Sequence, residues 1–517
     1  MEPSMPATLL SSTLLGIDSI LVHVEVDVSS GIPSYHVVGL PDASVSESCE
    51  RVRSALRNSG SPIPSRRVTV NLSPGDIRKE GPRFDLAIAL GVLCADEPEL
   101  ASLLRGTLVL GELSLDGGLR PVRGVLSAAM EARRHGLKRL LIPVGNVAEA
   151  RLVDGLAVLG VLSLRHAREV AAGRAEPTEP AARARPGPAP PPDLALVKGQ
   201  LAARRALEVA AAGSHHLVMV GPPGSGKTLL ASCLPGLLPP LTSEEALEVT
   251  RIHSVKRLEC GLITERPFRS PDPSVSRAGL LGSLLPGEVT LAHRGVLFLD
   301  EFPEMRRDCL EGLRSPLEGG RVAIARANFR ATYPARFALV AAMNPCPCGY
   351  LGDRQRACRC SPFQRQRYQG RFSGPLRDRI DLQVEVARLS PGELVRAQAG
   401  ECTARVRQRV LAARDRQQRR GVLNSQLEGL HLAEHCWLDD RSADFLELAV
   451  RRFGLSARVY DRVRRIARTL ADLRESEKVE ACDLAEALEY RYLDRELEPE
   501  VDRTPLDRAE GSQKSCA

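Results

Sequence analysis

Apolar and polar positions change period along this chain, and the changes divide it. LVHVEVDVSSG, Leu21 to Gly31, alternates apolar with polar and predicts a strand entering a turn. Helical spacing follows over Val45 to Asn58, then a strand over Arg66 to Pro74 and a buried helix opening at Pro82 and running to Leu93. LVLGELSLDGGLRPV, Leu108 to Val122, predicts a hairpin that turns at Asp116-Gly117-Gly118. A helix over Val125 to Arg134 and a strand over Arg139 to Pro143 complete an α+β domain assigned to residues 1–172. Periodicity is lost in GRAEPTEPAARARPGPAPPPD, residues 173–193, which predicts a semi-rigid linker of polyproline character.

Residues 194–389 return to an α/β pattern. A helix is expected over Val197 to Gly213, with a Gly-Gln entry. The short, wholly apolar runs Leu217 to Val220, Val296 to Leu299 and Phe337 to Met343 predict buried parallel strands. Pro267 to Gly282 is an expected insertion, and Leu310 to Leu317 a short helix. Val322 to Phe337 predicts a hairpin with Arg326, Asn328 and Arg330 near its tip. From 390 to 497 the spacing is helical: a long arginine-rich helix over Glu393 to Arg420, helical repeats over Leu438 to Ser476, and a last helix in VEACDLAEALEYR. Residues 498–517 are polar and expected to be disordered. The fold class is α/β, with a parallel-sheet core between an α+β domain and an all-α domain.

The first core strand breaks into GPPGSGKT: Gly221, Pro222, Pro223, Gly224, Ser225, Gly226, Lys227 and Thr228. This is the P-loop pattern, in which glycines free backbone amides to face phosphate oxygens and a helix presents its positive end. Lys227 would reach the β- and γ-phosphates and Thr228 would ligate Mg²⁺. The second strand ends in Asp300, placed to hold Mg²⁺, and Glu301, placed to activate the attacking water. Asn344, ending the third strand, would hydrogen-bond the γ-phosphate or that water. The constellation predicts a Mg·ATP site.

Cys346, Cys348, Cys358 and Cys360 follow at once in a C-x-C…C-x-C arrangement, four of 13 cysteines within fifteen residues. Four thiolates in a polar loop suit tetrahedral Zn²⁺ better than a packed core. Arg354, Arg356 and Arg359 make the loop basic, with Arg365, Arg367 and Arg371 beyond it. Together with Arg326 and Arg330 the loop arginines are candidate contacts to a nucleic-acid backbone. Net charge is only +7, and seven of the 71 basic residues are lysine, so arginine abundance alone says little. At 517 residues, more than one core is required. No apolar run approaches the ~18 residues of a membrane span, and no basic N-terminal signal region is read. A cytoplasmic protein without a membrane partner is therefore expected.

The N-terminal order resembles the protease domain of Lon. Its nucleophile position, in KEGPRFD, is Arg83, and its lysine position is Leu126. Neither can serve a Ser–Lys dyad, so the resemblance implies the fold without peptidase activity. Over about 490 residues the chain resembles the YifB/ComM family of magnesium-chelatase-like AAA+ ATPases, on GLPDASVSESCERVRSAL, NLSPGDIRKEGPRFDLAIALG, VKGQ, GPPGSGKT, PFRSP, AHRGVLFLDE, PARFALVAAMNPCPCGY, SGPLRDRIDL and SARVYDRVRRIARTLADL. One departure is Asp272-Pro273, where the family usually carries two histidines. The resemblance implies a hexameric ATP-driven motor on branched or single-stranded DNA, promoting branch migration in recombination or natural transformation, with recombination proteins as partners. It implies further that Asn344 is sensor 1, that Arg379 reaches a neighbouring subunit's ATP, and that Arg458 is the lid-domain sensor 2 acting in cis, with Arg462, Arg464 and Arg465 as competing choices. The alternative is a protein-remodelling or metal-insertion ATPase.

Overall fold

The structure, a computed structural model, describes residues 6–493 apart from 62–65, 182–188, 259–260, 327–328, 354, 391, 394–399 and 492. Asn328, Arg354 and the tail 498–517 lie outside the described residues. The N-terminal sheet comprises β1 (Ala7–Leu15), β2 (Asp18–Ser29), β3 (Ser34–Val38), β4 (Arg67–Ser73), β5 (Thr107–Val109), β8 (Arg139–Pro143) and β9 (Ala157–Val161), in the order β3-β4-β2-β1-β5-β8-β9. A two-stranded hairpin, β6 (Glu112–Leu113) and β7 (Leu119–Arg120), stands beside it. Helices α1 (Ala43–Asn58), α2 (Asp85–Asp96) and α3 (Val125–Arg134) cover the sheet. Asp42 caps α1 by accepting from Val45 N at 2.7 Å. The expected hairpin over Leu108 to Val122 is shorter than its pattern suggested. Leu108 and Val109 are wholly buried in β5, a parallel strand between β1 and β8, and only β6 and β7 turn back on each other.

The core sheet is β11 (Phe268–Arg269), β12 (Val296–Leu299), β15 (Ala338–Met343), β10 (Leu217–Val220) and β16 (Leu382–Glu385), in the order β11-β12-β15-β10-β16, every pair parallel. Alternate residues of β10 feed the two faces: Leu217 and Met219 enter one apolar core, Val218 and Val220 the other. That is why LVMV is apolar throughout. Part of the expected insertion belongs to this sheet, because Phe268 and Arg269 pair with Val296 and Leu297 as its edge. The stretch Leu310 to Leu317 is divided between two short helices, Arg307–Gly312 and Arg314–Gly319. The hairpin is present as β13 (Arg321–Arg326) and β14 (Phe329–Pro334).

Helices α4 (Leu201–Gly213), α5 (Lys227–Leu237), α6 (Ser243–Ser254) and α7 (Pro362–Gln369) belong to the core. The C-terminal helices are α8 (Thr403–Arg420), α9 (Asp440–Phe453), α10 (Ala457–Leu473) and α11 (Ala481–Glu489). The predicted helix from Glu393 does not run unbroken to Arg420: Gly400 to Cys402 are extended, with the Arg204 guanidinium bonded to Glu401 O at 2.6 Å. Val410, Ile466 and Leu484 share one apolar cluster with Leu207 and Met219, which fixes these helices on one face of the core sheet. His215, just before β10, ties them together, bonding Asp381 at 2.9 Å and Thr469 of α10 at 2.7 Å. Burial pushes the Asp381 carboxyl up, but the His215 hydrogen bond and the Arg462 charge more than reverse it and hold it well below the usual range.

Helix α6 joins the core to the N-terminal domain. Gly124 N donates to Ser254 O at 3.0 Å, Arg251 Nε to Ser127 Oγ at 3.3 Å, and Ser254 Oγ to Glu149. His253 on the same helix is buried, bonds Leu291 O at 3.1 Å, and has its pKa pushed down to about 4, chiefly by desolvation. The unfolded chain therefore takes up a proton that the folded chain refuses as pH falls below about 6.5. Between pH 7 and pH 5 this single group is expected to remove about 2 kcal/mol from the unfolding free energy of the core. Denaturant titrations at both pH values should show the loss, and His253→Gln, which keeps a donor for Leu291 O, should shrink it.

Candidate active site

Parallel pairing brings the ends of β10, β12 and β15 to one edge of the core sheet, and the predicted ATP-site residues meet there. Gly224 and Gly226 have φ of +76° and +92°, a conformation that turns loop amides inward and suits glycine. A Cβ on Gly221 would stand 2.1 Å from Val386 O, so the loop can pack against the exit of β16 only as glycine. Lys227 Nζ, at the start of α5, donates to Gly221 O at 2.7 Å and Pro222 O at 2.9 Å and lies 3.5 Å from Asn344 Oδ1. Burial lowers its pKa, and the Asp300 charge opposes that. Thr228 Oγ1 donates to Asp300 Oδ2 at 3.2 Å, which brings the two expected Mg²⁺ ligands together. The Ser225 hydroxyl is buried without a hydrogen-bond partner.

Glu301 has φ +46°, unusual for a residue with a side chain. Its N–H donates to Asp300 Oδ1 at 2.9 Å, so the chain turns sharply and leaves the Glu301 carboxylate exposed. An amide cradle, a buried lysine, a paired hydroxyl and carboxylate, and a free second carboxylate fit a nucleotide triphosphate with its magnesium. Gln200, which the Gly-Gln entry singled out, bridges Ala387 O at 2.5 Å and Ser225 O at 3.4 Å.

The cysteine loop lies against this site. Cys346, Cys348, Cys358 and Cys360 place their sulfurs within 4.8 Å of one another. Cys346 Sγ is 3.4 Å from Cys348 Sγ and 3.6 Å from Cys358 Sγ. A regular tetrahedron with Zn–S of about 2.3 Å has sulfurs about 3.8 Å apart, so the set is nearly preformed. Cys348 N donates to Cys360 Sγ at 3.4 Å, and Cys360 N to Cys358 Sγ at 3.5 Å. Gly349, in the turn of this loop, abuts the P-loop: a Cβ there would stand 2.6 Å from Pro223 Cδ. Arg356 stacks on Tyr350 at 4.2 Å and donates to its hydroxyl at 2.9 Å, while Arg359 and Arg330 are exposed. Arg371 is exposed and paired with Glu304 at 2.5 Å.

The two remaining arginines stand elsewhere. Arg379 is paired with Glu318 and Pro375 O of its own chain. It precedes β16, whose first residue, Leu382, aligns with Leu217, the first of β10. Its own P-loop follows the other end of β10, about 10 Å of strand away. Arg458, 73% exposed, reaches 3.9 Å from Asp378 at that same remote end. Its partner in this chain is thus Asp378, at the end of the sheet away from the P-loop. Arg462, Arg464 and Arg465 are engaged by Asp381, by the Leu432 and Cys436 carbonyls, and by Ser425 O with Glu428.

The former dyad positions of the N-terminal domain hold no nucleophile or base. Arg83 is buried, its pKa brought to about 10 by desolvation, with the Glu149 charge opposing. Leu126 is wholly buried, and its N–H donates to Glu149 Oε1 at 2.7 Å. The sequence patterns carried no sign of Glu149, a lone acidic residue on a short helix.

Comparison with known proteins agrees with this architecture. Family models match over 193–394 (magnesium chelatase, subunit ChlI), 24–146 (subunit ChlI of Mg-chelatase) and 400–491 (magnesium chelatase, subunit ChlI C-terminal). The YifB protein of Escherichia coli is 43% identical over 500 residues, 93% of this chain and 96% of that protein. The competence protein ComM of Haemophilus influenzae is 42% identical over 506 residues, covering 95% and 98%. The chain belongs to the YifB/ComM family of magnesium-chelatase-like AAA+ ATPases. Lon protease 2 of Bacillus subtilis is 30% identical over 115 residues, 22% of this chain and 20% of that protein, in keeping with a Lon-like N-terminal domain. As an AAA+ ATPase of this family, the chain hydrolyses ATP. No described helix is long and apolar enough to cross a membrane.

Glu301→Gln should keep ATP binding and lose turnover by about 10²-fold or more, because the carboxylate that activates water is gone. Equilibrium binding of a fluorescent ATP analogue beside a phosphate-release assay separates the two. The chain should release no peptides from casein with or without ATP, since Arg83 and Leu126 offer neither nucleophile nor base.

Proposed function

We propose that this ATPase is a ring-forming motor on DNA, a branch-migration helicase or translocase acting on branched or single-stranded DNA in recombination or natural transformation. The observation that carries the reading is the arginine-bearing cysteine loop that begins at Cys346, two residues after Asn344 at the end of β15. Asn344 lies beside Lys227, so a change at the γ-phosphate reaches the loop through two peptide bonds. Exposed Arg356 and Arg359 on the loop, with Arg330 on the hairpin, suit a phosphate backbone read without regard to sequence. Arg326 and Arg354 belong to the same set, though the Arg326 side chain and all of Arg354 lie outside the described residues. The four thiolates hold one Zn²⁺ and keep the loop in shape. Kinship with a competence protein supports the setting, with recombination proteins as partners.

Arg379 and Arg458 stand far from their own P-loop and share one surface through Asp378. That supports a homo-hexamer in which both serve the ATP of the next subunit. For Arg458 this replaces a cis role with a trans one. The match to magnesium-chelatase models favours a second reading, a protein-remodelling or metal-insertion ATPase. The assay that separates them is ATPase rate with and without a four-way junction. Stimulation that falls steeply with salt is expected, and no response to four-way, forked or single-stranded DNA would remove the DNA reading.

Mixing Glu301→Gln with Arg379→Ala, each inactive alone, should restore partial turnover, because some interfaces regain both an intact carboxylate and an intact arginine. No recovery at any ratio would exclude shared sites. Arg356→Ala combined with Arg359→Ala should lower the slope of log affinity against log salt by about 2, as measured by titration of a labelled junction.

A further inference from the structure

The cysteine loop does more than present arginines. It spans the active site from one strand end to another. At its near end Gly349 packs on Pro223 of the P-loop, with no room for a Cβ. Gly349 is held by the turn it closes, its N–H donating to Cys346 O at 2.9 Å, and Cys346 is a wholly buried member of the thiol cluster. At the far end the chain returns to the turn that follows Glu301. Phe372 meets Phe302 edge to face at 5.2 Å, and Arg371 bonds Pro303 O at 3.3 Å and Glu304 at 2.5 Å. Between these anchors the described segment carries little regular structure beyond α7, and it packs few apolar side chains. Among the described residues, the Arg356–Tyr350 contact lies on the exposed side of the loop, and the tie that reaches its buried side, through Cys346, is the cluster of four sulfurs.

We propose that the metal held by Cys346, Cys348, Cys358 and Cys360 is a strut of the nucleotide pocket. By fixing Gly349 against Pro223 it sets the P-loop conformation, so ATP affinity depends on metal occupancy even when no DNA is present. The proposal rests on the zinc reading above and deepens it. The ion is a thiolate-preferring divalent cation of tetrahedral habit, which Zn²⁺ satisfies. Binding draws the remaining thiol protons off to solvent, so occupancy is coupled to the folding of this segment.

The test uses the full chain without DNA. Metal content by plasma mass spectrometry and affinity for a fluorescent ATP analogue are measured on the parent, on the parent after chelation and after Zn²⁺ readdition, and on Gly349→Ala. About one zinc per chain is expected in the parent. Chelation should weaken ATP binding by about tenfold or more, and readdition should restore it. Gly349→Ala should keep its zinc and still bind ATP more weakly, because the added methyl displaces Pro223. A folded, ATP-binding parent with almost no metal would overturn the zinc reading itself. A metal-free chain that is folded by circular dichroism and binds ATP like the parent would overturn the strut alone. If chelation unfolds the chain, Gly349→Ala decides: full zinc with unchanged ATP affinity rejects the proposal.

Discussion

Because β10, β12, β15 and β16 run parallel, with Leu217 opposite both Val340 and Leu382, everything that follows these strands is delivered to one edge. The P-loop, Asp300 with Glu301, and Asn344 are far apart in sequence. They become neighbours only through that register. A slip of one residue in β15 would exchange the faces of an all-apolar strand at little cost in burial, yet it would carry Asn344 away from Lys227. Apolar pattern alone does not defend the register here. Polar closures at the strand ends do, among them Lys227 on the loop carbonyls, Thr228 on Asp300, and His215 on Asp381.

The same parallel arrangement forces the division of labour among arginines. Residues entering a strand lie at the sheet end opposite those leaving it. Arg379 enters β16, and Arg458 pairs with Asp378 beside it, at the end of the sheet away from the P-loop. In the single chain Arg379 is neutralised by Glu318 on a surface helix. The Arg379 side chain is 13% exposed and that of Glu318 61%, so the pair is open to solvent only on its carboxylate side.

Much of this was legible in the sequence, for identifiable physical reasons. The P-loop, the acidic strand end and the cysteine cluster are local patterns whose chemistry needs fixed spacing, and the structure brings each together. Helix Val125–Arg134 and strand Arg139–Pro143 were legible because period and boundary signals agreed. What was not legible depended on tertiary context. Phe268 and Arg269 are too short a run to signal a strand until β12 offers an edge to pair with. Glu393 to Arg420 has helical spacing throughout, but residues 400–402 leave the helix, with Arg204 from α4 on the Glu401 carbonyl, before α8 begins at Thr403. The packing of α10 includes Thr469 meeting His215, a contact across 254 residues that no periodicity encodes.

The N-terminal domain shows what becomes of a pocket once its chemistry is gone. Arg83 sits at the nucleophile position and the Glu149 carboxylate bonds the backbone of Leu126 at the base position, and burial opposes the ionised form of each. Such a pair is costly unless each partner finds further bonds. Glu149 finds them in Leu126 N and in Ser254 Oγ, and the second comes from α6 of the ATPase core. Part of the desolvation cost is thus offset only while the two domains are docked. Helix α6 lies between the P-loop helix and β12, with His253 refusing a proton one residue before the contact. Ile252 of the same helix packs in one apolar cluster with Val220 and Leu299 of the core sheet, so α6 ties the N-terminal domain to the sheet that carries the nucleotide site.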